Sequence, residues 1–298
     1  MSIFKKAIVI YNPECGKRKN HKHVPELIHH LSVLGFDLDT HTIEDFDQVD
    51  GPITDACRQK VHSIFILGGD GTVNRCIQSI STEGYRPNIG IIPLGTSNEF
   101  AKYLGMPNQL LEIIPLIGRQ TIKPIDIGKI GNRYFGNIAA AGWLTDITYN
   151  TSPTLKSWLG ELAYCLSFFR SYLFTKQTSQ ISITLSENKM LQDLSLFLIM
   201  NGNALGPFER LIDPANREDG HFHLVALRKE DKIRLFFTLF LKMARLPHKA
   251  RTFEYQSVRS VEFSFSETMP FNLDGEQVYL DNFSFEVLPS HLNVYTSN

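Results

Sequence analysis

The chain has 298 residues, 43% hydrophobic and 20% charged, with 30 basic residues against 31 acidic ones. That is a globular composition with room for two domains of ordinary size, and its balanced charge excludes bulk attraction to nucleic acid. The four cysteines, Cys15, Cys57, Cys76 and Cys165, stand singly with no C-x-x-C pair, which suggests neither a disulfide framework nor a zinc knuckle and fits a reducing cytoplasm.

The opening run Lys5 to Tyr11 is too short and too lightly apolar for a signal peptide. Ala7 to Tyr11 reads as a first strand, Val24 to Leu34 as a helix, Phe36 to His41 as a strand and Gln48 to Gln59 as a weak helix. Ser63 to Leu67 is an apolar run of the kind buried in a parallel sheet. It leads into Gly68-Gly69-Asp70-Gly71-Thr72-Val73-Asn74, and Val73 to Ile80 reads as the next helix. Asn88 to Ile92 is a further buried strand, followed by Leu94-Gly95-Thr96-Ser97-Asn98 and a helix from Glu99 to Leu104. Repeated strand–helix units predict a parallel sheet with right-handed crossovers, whose ligands bind beyond the carboxyl ends of the strands.

After about Asp126 the period changes. Short runs at Arg133 to Ile138, Gln180 to Leu185, Ser195 to Met200, Phe222 to Leu227, Val258 to Phe265 and Phe283 to Leu288 predict antiparallel strands in a β-sandwich of roughly 150 residues. Helices are expected at Leu155 to Phe174 and Ile233 to Arg245. The first of these is the nearest approach to a membrane span, which needs about 20 apolar residues, but it carries Lys156, Glu161 and Arg170. The expected architecture is thus α/β + β: an N-terminal Rossmann-like nucleotide-binding domain over residues 1–127 and a β-sandwich over 128–298, with a cleft between them. The last residues are allowed to pack back on the first domain.

The glycine-rich turn carries the most chemistry. Three glycines in four positions let the backbone approach a ligand closely, and the helix behind them aims unpaired N–H groups at the same spot. The plain alternative is a tight turn. Asp70 weighs against it, because a carboxylate beside a phosphate requires a cation between them, which points to Mg²⁺ and a nucleotide. In Asn12-Pro13-Glu14-Cys15-Gly16-Lys17, Asn12 and Lys17 are candidates to meet a nucleotide, and an ordinary loop explains the segment equally well. Gly95, Thr96, Ser97 and Asn98 form a second cradle-like turn, in which helix capping is the competing role. Asp126 is an acid between apolar residues and needs a partner. Asp219-Gly220 and Asp274-Gly275 are both hairpin signals. The first also offers a hard cation a carboxylate and carbonyls. The second offers Asp274 or Glu276 as a general base.

Taken together, these motifs resemble the diacylglycerol kinase catalytic family, particularly the soluble bacterial YegS-type lipid kinases. The order N-P-x-x-G, G-G-D-G-T-V-N, P-L-G-T-x-N-x-F-A, D-x-G, F-x-N-x-A-x-x-G, N-G, D-G and L-D-G-E runs through nearly the whole chain. The resemblance implies an α/β nucleotide domain followed by a β-sandwich, and an ATP- and Mg²⁺-dependent kinase for a lipid hydroxyl such as that of diacylglycerol. Its nucleotide contacts fall on Thr42, on Gly68, Gly69, Asp70, Gly71, Thr72 and Asn74, and on Thr96. Its structural ion, Mg²⁺ or Ca²⁺, falls on Asp219, with carbonyls from Asn216 and His221. An acid network falls on Asp70, Glu99 and Asp126, and the base on Asp274 or Glu276.

The chain departs from the family pattern at Cys15 (usually Ser), Glu99 (usually Asp), Arg75 (often Glu) and Gly206-Pro207-Phe208, where a glycine triplet is usual. The implied setting is cytoplasmic and peripheral at the inner face of the membrane, with a homodimer left open. Trp158 and the basic group Lys242, Arg245, Lys249 and Arg251 are candidates for the lipid surface, against core packing and a solvated face. Two other functions share the G-G-D-G-T element or the fold: an NAD kinase-like small-molecule kinase, for which an N-x-G-x-x-G-F segment is missing, and a non-catalytic nucleotide sensor, which has no need of the retained acids.

Overall fold

A computed structural model of the chain describes residues 4–16, 21–107, 109–142, 181–186, 189–201, 220–228, 253–265, 268–281 and 283–297. The expected helices at 155–174 and 233–245 lie outside the described residues, as do Trp158, Lys17, the 206–208 departure and the basic group from Lys242 to Arg251.

The first part is built from β1 (Lys5–Tyr11), α1 (Val24–Val33), β2 (Phe36–Thr42), a short 3-10 turn (Phe46–Gln48), α2 (Asp50–Arg58), β3 (Ser63–Gly68), α3 (Asp70–Ser81), β4 (Asn88–Pro93), α4 (Glu99–Tyr103) and α5 (Leu110–Arg119). The strands are parallel in the order β4-β3-β1-β2. Strand β3 is buried at every position, as a central strand covered on both faces must be. Helix α1 turns Val24, Leu27 and Leu31 inward, the spacing of one helical face.

The second part comprises β5 (Ile122–Ile130), β6 (Arg133–Phe135), β7 (Ile138–Gly142), β8 (Ile181–Ser186), β9 (Lys189–Met200), β10 (Phe222–Arg228), β11 (Phe253–Val258), β12 (Ser260–Phe265), β13 (Met269–Leu273), β14 (Glu276–Leu280) and β15 (Phe283–Tyr295). These pair antiparallel with one another. The protein is therefore an α/β unit with a parallel sheet followed by an antiparallel β unit, as the sequence pattern predicts. Each has its own core. Val9, Ile10, Phe65, Ile66 and Ile77 belong to the first, and Phe135, Phe197, Phe222, Phe263, Phe271 and Phe285 to the second.

Strand β15 runs through both cores. Phe285 packs in the second, whereas Leu292, Val294 and Tyr295 pack in the first. It lies antiparallel to β5 for most of its length and meets β4 in parallel at Val294–Ile89. Tyr295 is fully buried, stacks on Phe65 and shares a 2.9 Å hydrogen bond with Ser63.

Several expected elements differ in their bounds. Arg133 to Ile138 is two strands rather than one, because the N–H groups of Gly136 and Asn137 turn to the carboxylate of Asp274 instead of a neighbouring strand. Val258 to Phe265 also breaks, at Arg259, where the chain leaves β10 and joins β8 and β15. Helix α3 starts at Asp70, three residues early, with extended Gly69 as its N-cap. Among the described residues no helix is long and apolar enough to cross a membrane.

Tyr295 measures the join between β15 and the first core. Tyr295→Phe is expected to cost about 1 kcal/mol, the net worth of its hydrogen bond. Tyr295→Ala should cost roughly 3–5 kcal/mol by leaving a cavity. The shift in urea unfolding midpoint reads both.

Candidate active site

Three loops meet at the carboxyl ends of β1, β3 and β4, and they meet backbone to backbone. A Cβ on Gly95 would lie 2.6 Å from the Cα of Gly69, and one on Gly16 would lie 1.8 Å from the carbonyl oxygen of Leu94. Gly16 also has φ +67, a conformation that favours glycine. Gly68 is bare because the Thr72 side chain sits over it, with Cβ 2.5 Å from where a Cβ of residue 68 would be. Asn12 donates from Nδ2 to Thr72 Oγ1 at 3.0 Å and so ties the first loop to α3. The first N–H groups of α3, at Asp70, Gly71 and Thr72, have no acceptor within the helix and face the same junction. Thr42, Gly71 and Thr96 are exposed around it.

Asp70 turns toward the third loop. Its Oδ1 accepts the N–H of Phe100 at 3.3 Å. Burial raises its pKa above the usual carboxylate value, the Phe100 N–H opposes that, and the charge of Glu99 adds to it. Asn98 does not cap α4 with its side chain. It takes φ 51, and its Nδ2 donates back to Gly95 O at 2.9 Å. Glu99 forms a 3.0 Å ion pair with Lys102. Cys15, where the family usually has Ser, donates from Sγ to Asn12 O at 3.1 Å, and burial holds it as a thiol. Arg75 pairs with Asp50.

The second group of acids sits on the β13–β14 hairpin. Leu273 pairs with Glu276, and the two turn residues Asp274 and Gly275 have φ 48 and φ 93. Both are left-handed, as an Asp-Gly hairpin turn requires. The hairpin reading of this segment and its acid content are thus one feature. The turn aims the Asp274 carboxylate at the segment between β6 and β7. There it accepts the N–H of Gly136 at 2.6 Å, Ile138 at 2.7 Å and Asn137 at 3.1 Å. Glu276 is exposed on the surface and accepts from Asn74 Nδ2 at 3.3 Å, which sets the hairpin against the helix behind the glycine loop.

The acid network is separated into distinct tasks. Asp126 is fully buried and accepts the N–H of Gly220 at 2.7 Å and of Ser290 at 2.8 Å. Asn201, whose side chain was not singled out from the sequence, donates to the carbonyls of Asp126 at 2.7 Å and Gly136 at 3.1 Å. The N-G dipeptide was its only signal. Of the ion-site residues, Asn216 and Asp219 lie outside the described residues. His221 takes a 3.0 Å hydrogen bond from Arg259 Nε to its Nε2. Among the described residues no group of three His, Cys, Asp or Glu is placed to hold a metal.

Comparison with known proteins decides the family. The diacylglycerol kinase catalytic domain matches residues 6–130. A diacylglycerol kinase of Staphylococcus saprophyticus is 32% identical over 297 residues, covering 99% of this chain and 96% of its own. The chain belongs to the diacylglycerol kinase family. It is a lipid kinase. A diacylglycerol kinase of Bacillus subtilis is 30% identical over 296 residues, 97% of this chain and 96% of the relative. Two structures from Bacillus anthracis share the fold of this lipid kinase. One has a TM-score of 0.82 at 24% identity, covering 99% of this chain and 96% of that one. The other, of a diacylglycerol kinase, has a TM-score of 0.76 at 22% identity, covering 99% and 97%.

Asp274 supplies a pH test. Its pKa is raised from 3.8 to about 6, chiefly by burial, with its three N–H partners pulling it down and the charge of Asp70 pushing it up. Between those two values the unfolded chain has released a proton that the folded chain retains. The contribution to stability is therefore fully present below the unfolded value and is lost as pH rises through about 6. Asp274→Asn removes this dependence. Urea unfolding at about pH 4 and about pH 7 should show the stability of the wild type falling relative to the variant as pH rises.

Proposed function

We propose that this kinase transfers the γ-phosphate of ATP, with Mg²⁺, to the hydroxyl of diacylglycerol or a closely related lipid. The observation that carries this reading is the contact between Glu276 and Asn74. It brings the exposed carboxylate of the hairpin to the helix whose N-terminus lies behind the glycine loop. A nucleotide phosphate held by that loop and a hydroxyl beside Glu276 then share one cleft.

In this reading the N–H groups at the start of α3 and the bare backbone of Gly69, Gly71 and Gly95 cradle the phosphates, Gly68 making room for Thr72 behind them, and Asn12, Thr72 and Thr96 line the cradle. The donor set suits Mg²⁺, which uses one or two carboxylates together with substrate phosphates rather than an all-protein cage. Asp70 is the carboxylate placed to hold it, and the ion would neutralise charge on the transferring group. Glu276 takes the proton of the acceptor hydroxyl. It is exposed and makes one long contact, whereas the oxygens of Asp274 are occupied by three N–H groups. Asp274 holds the Gly136–Ile138 segment as the floor of the site.

An additional Mg²⁺ or Ca²⁺ at Asn216, Asp219 and the His221 carbonyl belongs to the same proposal. Its support is the turn at Gly220, with φ +71 and its N–H bound by Asp126. The boundary near residue 127, resting on the change of strand period there, and action at the inner face of the membrane and a homodimer, resting on the family pattern, also stand as parts of this reading.

The test is phosphorylation of diacylglycerol in mixed micelles with labelled ATP. Glu276→Gln should lower kcat by about 10²–10⁴ while leaving ATP affinity near that of the wild type, as loss of a general base does. Asp70→Ala should damage turnover more than Asn74→Ala. Wild-type turnover in Asp70→Ala would remove the phosphate–cation reading, and wild-type turnover in Glu276→Gln would move the base elsewhere.

A further inference from the structure

Helix α3 presents two neighbouring faces at the glycine loop, because successive residues are rotated by about 100°. Asp70 and Asn74, four residues apart, share one face, and Asn74 meets Glu276 there. Gly71 and Arg75, also four apart, share the next face, and Arg75 pairs there with Asp50 at the start of α2. The acceptor side of the proposed reaction lies on the first face. The second face looks toward the loop after β2 and, apart from the Gly71 main chain that the phosphate cradle uses, is assigned no role by the phosphate or acceptor chemistry.

That second face carries an exposed aromatic ring. Phe46 is 47% exposed. A Cβ on Gly71 would lie 3.6 Å from the tip of the Phe46 ring, so the ring stands beside the bare backbone of the first turn of α3. It contributes nothing to the core. The neighbouring positions Ile43 and Val49, at 2% and 0% exposure, do that instead. The turn that holds it is fixed from both ends. Asp45 Oδ1 accepts the N–H of Asp47 at 3.3 Å, and Gln48 Oε1 accepts those of Glu44 at 3.0 Å and Asp45 at 3.4 Å. Ahead of it, Ile43 N–H donates to Tyr11 O at 2.7 Å and ties the loop to β1. A phenyl ring that is exposed, held on a double-capped turn and set against a glycine is shaped as a stacking surface.

We propose that Phe46 is one wall of the nucleobase subsite, with Gly71 left bare so that the base can lie against the ring. This rests on the reading that a nucleotide occupies the glycine loop. It adds that the nucleotide crosses the end of α3 with its base on the Gly71–Arg75 face and its terminal phosphate toward the Asp70–Asn74 face. Stacking is tolerant of which base is present, so Phe46 sets affinity for nucleoside triphosphates over bare polyphosphate.

Calorimetric titration of the full chain with ATP·Mg and with tripolyphosphate·Mg separates the possibilities. Phe46→Ala should weaken ATP roughly 5- to 100-fold and leave tripolyphosphate within about twofold of the wild type. Phe46→Trp should retain ATP binding and add an indole emission that ATP quenches. Melting curves establish that each variant is folded. If the wild type binds ATP and Phe46→Ala binds it equally well, the subsite is wrong while the nucleotide reading stands. Equal loss of ATP and tripolyphosphate in Phe46→Ala would make the ring a support for the loop and overturn the proposal. Loss of anionic-vesicle binding with unchanged ATP affinity would make it a membrane contact and also overturn it. A wild type that ignores ATP removes the nucleotide reading and the subsite together.

Discussion

The site depends on three strands ending in loops that touch through their main chains. Gly95 lies against Gly69, and Gly16 against Leu94, at separations that leave no room for a side chain. That contact brings α4 close enough for Asp70 to reach the Phe100 N–H, while Gly71 in the first turn of α3 stays exposed. Interiors are packed densely enough that one methyl group here is a substantial volume change. The glycines are thus required by the junction itself, before any ligand is considered.

Buried carboxylates join the parts together. Asp126 and Asp274 each bind backbone N–H groups far away in sequence. Asp126 reaches Gly220 and Ser290, and Asp274 reaches Gly136, Asn137 and Ile138. Charge-assisted bonds of this kind are stronger than neutral ones, and a buried N–H without a partner costs free energy. Asn201 adds a link between the carbonyls of Asp126 and Gly136. The segment that approaches the hairpin acids is therefore held by side chains where strand pairing stops.

Most of the α/β part was legible because β1, β3 and β4 are apolar runs, β2 alternates, and α1 has one apolar face. Other elements were hidden by residues that ordinarily argue against them. Helix α5 contains Pro115, which interrupts a helical ladder, yet Ile113, Leu116 and Ile117 still reach the core. Strand β5 contains Pro124 and Gly128. Gly128 is needed there, because a Cβ would meet the Phe135 ring at 2.4 Å. The breaks at Gly136 and Arg259 come from partners distant in sequence, which a local pattern does not contain. Of the candidate site, the two glycine turns and the Asp274–Glu276 hairpin were visible as motifs. The division of work among the acids was not, since it depends on which backbone N–H groups each carboxylate meets. Phe46, an isolated aromatic between polar residues, carries no periodic signal.

The path of β15 has a consequence for synthesis. Leu292, Val294 and Tyr295 fill space in the core that β1, β3 and β4 begin, and Val294 pairs beside Ile89. A ribosome translating this message has long since made the glycine loop when it reaches those codons. Until they emerge, the earlier half carries an open seam along β4 and an unfilled place beside Phe65. The nucleotide half is thereby completed by residues made long after its own strands, and a nascent chain halted short of them would hold its phosphate loop on an unfinished sheet.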